Sequence, residues 1–165
     1  MAYNDPGGAG IGGWLAFFMI ILVVLMPLGS IVGVATQLYG DPQLALAYGS
    51  TWAALQLFEW ALVAVAIAGC LCLAWLLNYR QHWRTIRIVI PAIWLIWLGT
   101  LVADFIGVSL ITGLPISVLL DEGRLEFIRP VLFSGLWTAY FLRSERVANT
   151  YPRELEARDV AGVFE

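Results

Sequence analysis

Glu59 is the only charged residue between Trp52 and Leu77, and Asp104 is the only one between Ile88 and Leu120. At 1.5 Å per helical residue both acids fall roughly 10–12 Å below the same end of their apolar runs. A charged side chain at the centre of a membrane helix costs about 2.5–3.5 kcal/mol on insertion scales, so such acids are expected to face a bundle interior and to find partners. Arg129 enters from the same side, about four residues or roughly 6 Å inside a further apolar run, and is the expected partner. Thr100, one helical turn before Asp104, adds a hydrogen-bond donor. Two acids and one arginine in a dry site cannot all be charged cheaply. Either one carboxyl stays protonated, giving a proton-binding group, or water or a ligand reaches the site, giving a polar pocket. A plainer alternative is a buried polar clamp that holds three helices in register.

Other chemistries are set aside by residue type. A haem bundle needs two axial ligands, usually histidines, and His82 is the only histidine. No Cys/His cluster offers a metal site. Cys70 and Cys72 stand at i and i+2, pointing away from each other on a helix, so they read as small packing residues rather than a disulfide. No GxSxG, HExxH or phosphate-binding glycine loop occurs, so no catalytic residue, cofactor or metal is expected. All nine basic residues are arginine and the net charge is −3, which offers no nucleic-acid surface. The basic, aromatic stretch Tyr79 to Arg84 reads as an interfacial anchor to anionic lipid.

These residues must be positioned by a chain whose solvent is lipid. Of 165 residues 61% are hydrophobic and 13% charged, against about 25% charged in soluble domains, and mean hydropathy is +0.82. Four stretches approach or exceed the roughly 20 residues that cross a bilayer core of about 30 Å. The expected fold is therefore all-α, a single integral membrane domain over residues 1–165 built as a bundle of four transmembrane helices at about 13–36, 52–77, 88–112 and 125–143. A tail follows at 144–165. Gly113 and Pro115 break the third stretch, leaving 114–120 as a short interfacial segment before the fourth helix. The fourth is short, since Arg143 closes one side and Asp121, Glu122, Arg124 and Glu126 the other, and Pro130 fits its first turn. Met1 to Gly10 carries Asp5 and no Lys or Arg, and the apolar run behind it exceeds a signal-peptide core, so the first helix is read as retained. The Gly-rich stretch Pro6 to Gly13 reads as a flexible lead-in. No secure internal repeat is found.

Arginine placement gives direction. Arg80, Arg84 and Arg87 lie between helices two and three, and Arg143, Arg146, Arg153 and Arg158 in the tail, while the stretch from Gly40 to Ser50 has no basic residue. The positive-inside rule puts both basic regions, and with four spans both termini, in the cytoplasm. Small residues at four-residue spacing, Gly29/Gly33, Ala64/Ala68/Cys72 and Gly99/Ala103/Gly107, predict close helix packing within the bundle or against another protein.

Two end motifs add a resemblance. Gly10-Ile11-Gly12-Gly13-Trp14-Leu15-Ala16-Phe17-Phe18 and Tyr140-Phe141-Leu142-Arg143-Ser144-Glu145-Arg146-Val147-Ala148-Asn149-Thr150-Tyr151 resemble the bacterial family called domain of unknown function 2569. Its members are small inner-membrane proteins of four helices that open with a GGWL-type motif and close with a YFxxSxRVxxTF-type motif; Tyr151 stands where Phe is expected. The resemblance implies the topology and no activity. Arg143 and Arg146, with Arg80 and Arg84, are expected at the cytoplasmic interface as a topology anchor or a docking site for a partner. The leading expectation is a non-enzymatic accessory protein of the bacterial inner membrane, binding lipid, another membrane protein or itself. Its rival is a small transporter or proton-coupled carrier using Glu59, Asp104 and Arg129.

Overall fold

The structure, a computed structural model, describes residues 11–40, 43–123 and 125–152, apart from the side chains at 44 and 122. Asp5 and the chain up to Gly10, the Arg124 and Glu122 side chains, Arg153 and Arg158 lie outside the described residues.

The described residues are helical, with no strand among them. Helix α1 spans Gly13–Tyr39, followed by short α2 (Gln43–Tyr48) and a single 3-10 turn at Gly49–Thr51. Then come α3 (Trp52–Tyr79), α4 (Trp83–Thr112), α5 (Ile116–Gly123), α6 (Ile128–Arg143) and α7 (Glu145–Thr150). Three of these, α1, α4 and the helical run Ala45–Tyr79 that contains α3, are long and apolar enough to cross a membrane. The fourth, α6, has 16 residues, about 24 Å at 1.5 Å each, short of a core of about 30 Å.

Several boundaries differ from those read in the sequence. Helix α4 begins at Trp83 rather than near Ile88, because its first turns are amphipathic: Thr85, Ile86, Val89 and Ile93 are buried while Arg84, Arg87 and Ile88 are exposed. The arginines therefore ride on a helix that runs past the apolar zone, and only Arg80 to His82 connect α3 to α4. Thr85 closes that turn, its hydroxyl donating to the Arg80 carbonyl at 2.6 Å and its N–H to the His82 carbonyl at 2.8 Å. Helices α1 and α3 each run slightly past their expected ends, to Tyr39 and Tyr79. At the far end of α4, Gly113 in a left-handed conformation (φ 74°) stops the helix, as its lack of a Cβ allows. The segment expected at the interface is helical as α5, and α6 starts at Ile128 rather than Leu125 because residues 125–127 form a turn, with Ile128 N–H bonded to the Leu125 carbonyl.

Helix α3 is the central element, packing on α1 and on both halves of α4, while α6 packs mainly on the first half of α4. Helices α4 and α6 run antiparallel, as Trp94 bonding Thr138 (3.1 Å) and Trp97 stacking on Phe133 (4.9 Å) require. Two five-residue π-turns interrupt the long helices, Ile21–Leu25 in α1 and Leu95–Gly99 in α4.

The dry core is confined to one end. Leu15, Phe18 and Leu22 of α1, Cys70, Leu73 and Leu77 of α3, Ile86, Val89 and Ile93 of α4, and Trp137 and Phe141 of α6 form one cluster, joined by Val147 and Tyr151. Phe18 touches both Trp137 (4.3 Å) and Phe141 (5.2 Å). The arginine-bearing turns cap this same end. Of the small-residue ridges, only the third packs between helices: a Cβ on Gly107 would strike the Phe58 ring of α3. Gly29 and Gly33 have nothing within 4 Å of a built Cβ, and Ala64, Ala68 and Cys72 point outward. Spacing sets which residues share a helical face, not where that face points.

Candidate functional site

Above the dry core the helices part. Helix α1 meets α6 at the arginine end, through Phe17 and Phe18 on Trp137, but beyond its π-turn α1 packs on α3 instead. The gap is an open cleft of about 580 Å³, within the roughly 300–1,000 Å³ of small-molecule sites. Helices α3 and α4 form its back wall, and α1 and α6 its sides.

All four residues singled out for an intramembrane cluster, Glu59, Thr100, Asp104 and Arg129, line this cleft. Glu59 is placed by the stripe Leu55, Glu59, Val63, at four-residue spacing on the buried face of α3, and is 4% exposed. Asp104 faces it from α4, and the two carboxyls are in contact with each other. Two carboxyls in contact in a buried site are not both charged cheaply. Asp104 keeps a second oxygen, Oδ1, that is buried and without a partner. The Thr100 hydroxyl is turned back onto its own helix, donating to the Ile96 carbonyl, with the Trp97 carbonyl at 3.4 Å. It therefore does not serve Asp104 as a donor.

Arg129 occupies the first turn of α6, beside Pro130, and is exposed on the cleft's side. Among the described residues no ion pair within 4 Å joins it to Glu59 or Asp104, whose only charged neighbours in contact are each other. The site holds separated charges, two acids at the back and a cation at the side.

Four polar lining groups were not singled out in the sequence: Ser30 and Gln37 of α1, Glu126 before α6, and Trp97. Ser30 and Gln37 stand seven residues apart, two turns along one face, with Gly33 between them, and that spacing was the available signal. Trp97 brings an indole N–H that is buried and without a partner. The remaining walls are apolar, including Met26, Val34, Leu62, Leu101 and Phe133.

The arginines expected at the interface lie at the opposite end. Arg80, Arg84 and Arg143 are exposed, and Arg84 has an interaction partner. Arg146 is half-buried, its guanidinium lying over Gly12 and Gly13: a Cβ on Gly12 would come within 2.5 Å of it. Gly13 has φ +55°, which a residue with a Cβ adopts only under strain. The two end motifs are thus one contact. Helix α7 holds it there. Ser144 accepts the Val147 N–H as its N-cap, and Thr150 donates to the Arg146 carbonyl at 2.8 Å. Tyr151 is fully buried and donates at 2.7 Å to the Leu77 carbonyl near the end of α3, one of the four helix-terminal carbonyls that lack an intrahelical partner. Burial, and then Tyr140, push the Tyr151 hydroxyl up to about 12. Among the described residues no group of three His, Cys, Asp or Glu is placed to hold a metal.

A family model described as a protein of unknown function, DUF2569, matches residues 8–152. No curated protein and no solved structure matches.

Proposed function

Because the chain belongs to the DUF2569 family, which carries no assigned activity, we propose from the cleft that it is a non-enzymatic membrane protein that binds a lipid. The observation carrying this reading is an open cleft set into a helical bundle, with polar and apolar groups both lining it and its buried acids in contact only with each other among charged groups. A lipid tail suits the gap between α1 and α6, and a polar headgroup suits the acids and Arg129. The protein is read as a four-span resident of the bacterial inner membrane with both termini cytoplasmic. Arg80, Arg84, Arg87, Arg143 and Arg146 gather at the end where Gly12 lies, as the positive-inside rule favours. The turn at 125–127 lengthens α6 towards the thickness of the bilayer. The free Arg143 and Arg80 leave that end able to dock a partner protein.

Gly33 supplies the test, since it lines the cleft and has open space around a built Cβ. Purified in mild detergent, the wild type retains stoichiometric lipid by native mass spectrometry, and Gly33→Trp loses it while keeping its fold. A wild type free of lipid sinks the reading. The facing carboxyls of Glu59 and Asp104 favour one second reading, a proton-coupled carrier. Under it, Glu59→Gln abolishes proton or substrate flux in liposomes; unchanged flux removes it.

A further inference from the structure

The charges of the cleft are arranged for a particular kind of headgroup, and the inference rests on the lipid-binding reading above. Glu59 is 4% exposed, and its charged neighbour is Asp104. Asp104 Oδ1 is buried with no hydrogen bond, and so is Trp97 Nε1 on the same wall. A buried acceptor without a donor costs about 1–3 kcal/mol, and acids in a membrane interior pair with a cation or a donor. Among the described residues no cationic side chain lies within 4 Å of either acid, Arg129 included. The missing partner is therefore a donor-bearing cation brought from outside. Arg129, exposed on the side wall and within 4 Å of neither acid, offers a planar guanidinium fork suited to a phosphate.

We propose that the cleft binds a zwitterionic aminophospholipid, its primary ammonium between Glu59 and Asp104 and its phosphodiester on Arg129. Geometry carries this assignment. A zwitterion requires the anionic and cationic subsites to stand apart, since a direct salt bridge from Arg129 to the acids would cancel both. A primary ammonium has three N–H donors, enough for oxygens of both carboxyls. Met26, Val34, Leu101 and Phe133 give the acyl chains an apolar path into the gap between α1 and α6.

The experiment is native mass spectrometry and competition in detergent with phosphatidylethanolamine, phosphatidylcholine and phosphatidylglycerol. The wild type should retain phosphatidylethanolamine at least tenfold over both others, because choline has no N–H and glycerol no charge. The double variant Glu59→Gln with Asp104→Asn, isosteric and so expected to fold, should lose that preference but still retain lipid. Arg129→Gln should weaken phosphatidylethanolamine and phosphatidylglycerol alike. Soluble glycerophosphoethanolamine at equal concentration should fail to displace the lipid; displacement would overturn the membrane as its source. Equal retention of the three lipids, or a preference that survives in the double variant, overturns the headgroup assignment while leaving lipid binding intact. No lipid of any class on the wild type overturns the reading beneath it instead.

Discussion

Replacing Tyr151 by Phe removes one oxygen from the arginine-end core and changes nothing else there. The hydroxyl is the partner of the Leu77 carbonyl at 2.7 Å, inside a cluster where Tyr151 is 0% exposed. Stranding a buried acceptor costs about 1–3 kcal/mol, so Tyr151→Phe should lower stability by that amount at pH 7. The pH dependence gives a second, independent reading. Tyr151 is raised from 10.0 to about 12 by burial and then by Tyr140. Its contribution is therefore fully present below pH 10, where the hydroxyl is neutral folded or unfolded. It is lost as pH rises from 10 towards 12, because the unfolded chain ionises first and binds fewer protons than the folded one. The loss reaches about 2–3 kcal/mol at 1.36 kcal/mol per pH unit. The variant has nothing to ionise at this position, so its curve should start lower and stay flatter, and the two should converge near pH 12. SDS-driven unfolding in mixed micelles, followed by tryptophan fluorescence from pH 7 to 12, measures both. Equal stability at pH 7, with parallel decline above pH 10, would refute the assignment of Tyr151 as the α3 cap.

Gly13→Ala should cost about 1–2 kcal/mol through its positive φ, and Gly12→Ala should displace the Arg146 guanidinium, exposing the tail to limited proteolysis sooner than in the wild type. Gly107→Ala should destabilise by about 1–3 kcal/mol, since the new methyl meets the Phe58 ring in a packed interface, and Phe58→Leu should recover part of the loss in the same unfolding assay. Ser144→Ala should cost up to about 1 kcal/mol by removing the α7 cap, again read by unfolding. A fluorescent-protein fusion at the carboxyl end should fluoresce in cells if that end is cytoplasmic, and a dark fusion of normal abundance would reverse the topology.

The chemistry-bearing residues of the cleft were legible because lipid makes an isolated acid conspicuous. Glu59 and Asp104 each stood alone in an apolar run at matching depth, and the fold faces them. Their pairing was not legible: Arg129 was the expected partner by depth, but depth along a helix fixes height and leaves azimuth free, and the α6 start at Ile128 holds Arg129 on the side wall. The same blindness to azimuth explains Gly29/Gly33, of which Gly33 borders the cleft, and Ala64/Ala68/Cys72, which faces out. The turns at Arg84 and Arg87 read as loop because charge was taken to mark the membrane's edge, whereas an amphipathic helix can carry arginines beyond it. Helix α7 was hidden for a different reason. Its burial depends on a long-range contact, Tyr151 to Leu77 across 74 residues, and no local periodicity announces that.

The two π-turns have a bearing on how this architecture tolerates length changes. Ile21–Leu25 holds the last residue that α1 gives to the core cluster, Leu22, and directly precedes its first cleft residue, Met26; Leu95–Gly99 follows the core residue Ile93 and holds the first cleft residue of α4, Trp97. A π-turn holds more residues per turn than an α-turn, so each absorbs an extra residue between two stripes without turning one against the other. Deleting a single residue within Ile21–Leu25 would let the helix relax to α geometry and leave Ser30, Gly33 and Gln37 on the cleft. The same deletion in a stretch of regular α-helix would swing everything after it by about 100°. The π-turns are thus the places where these two helices can lose a residue and still present both stripes.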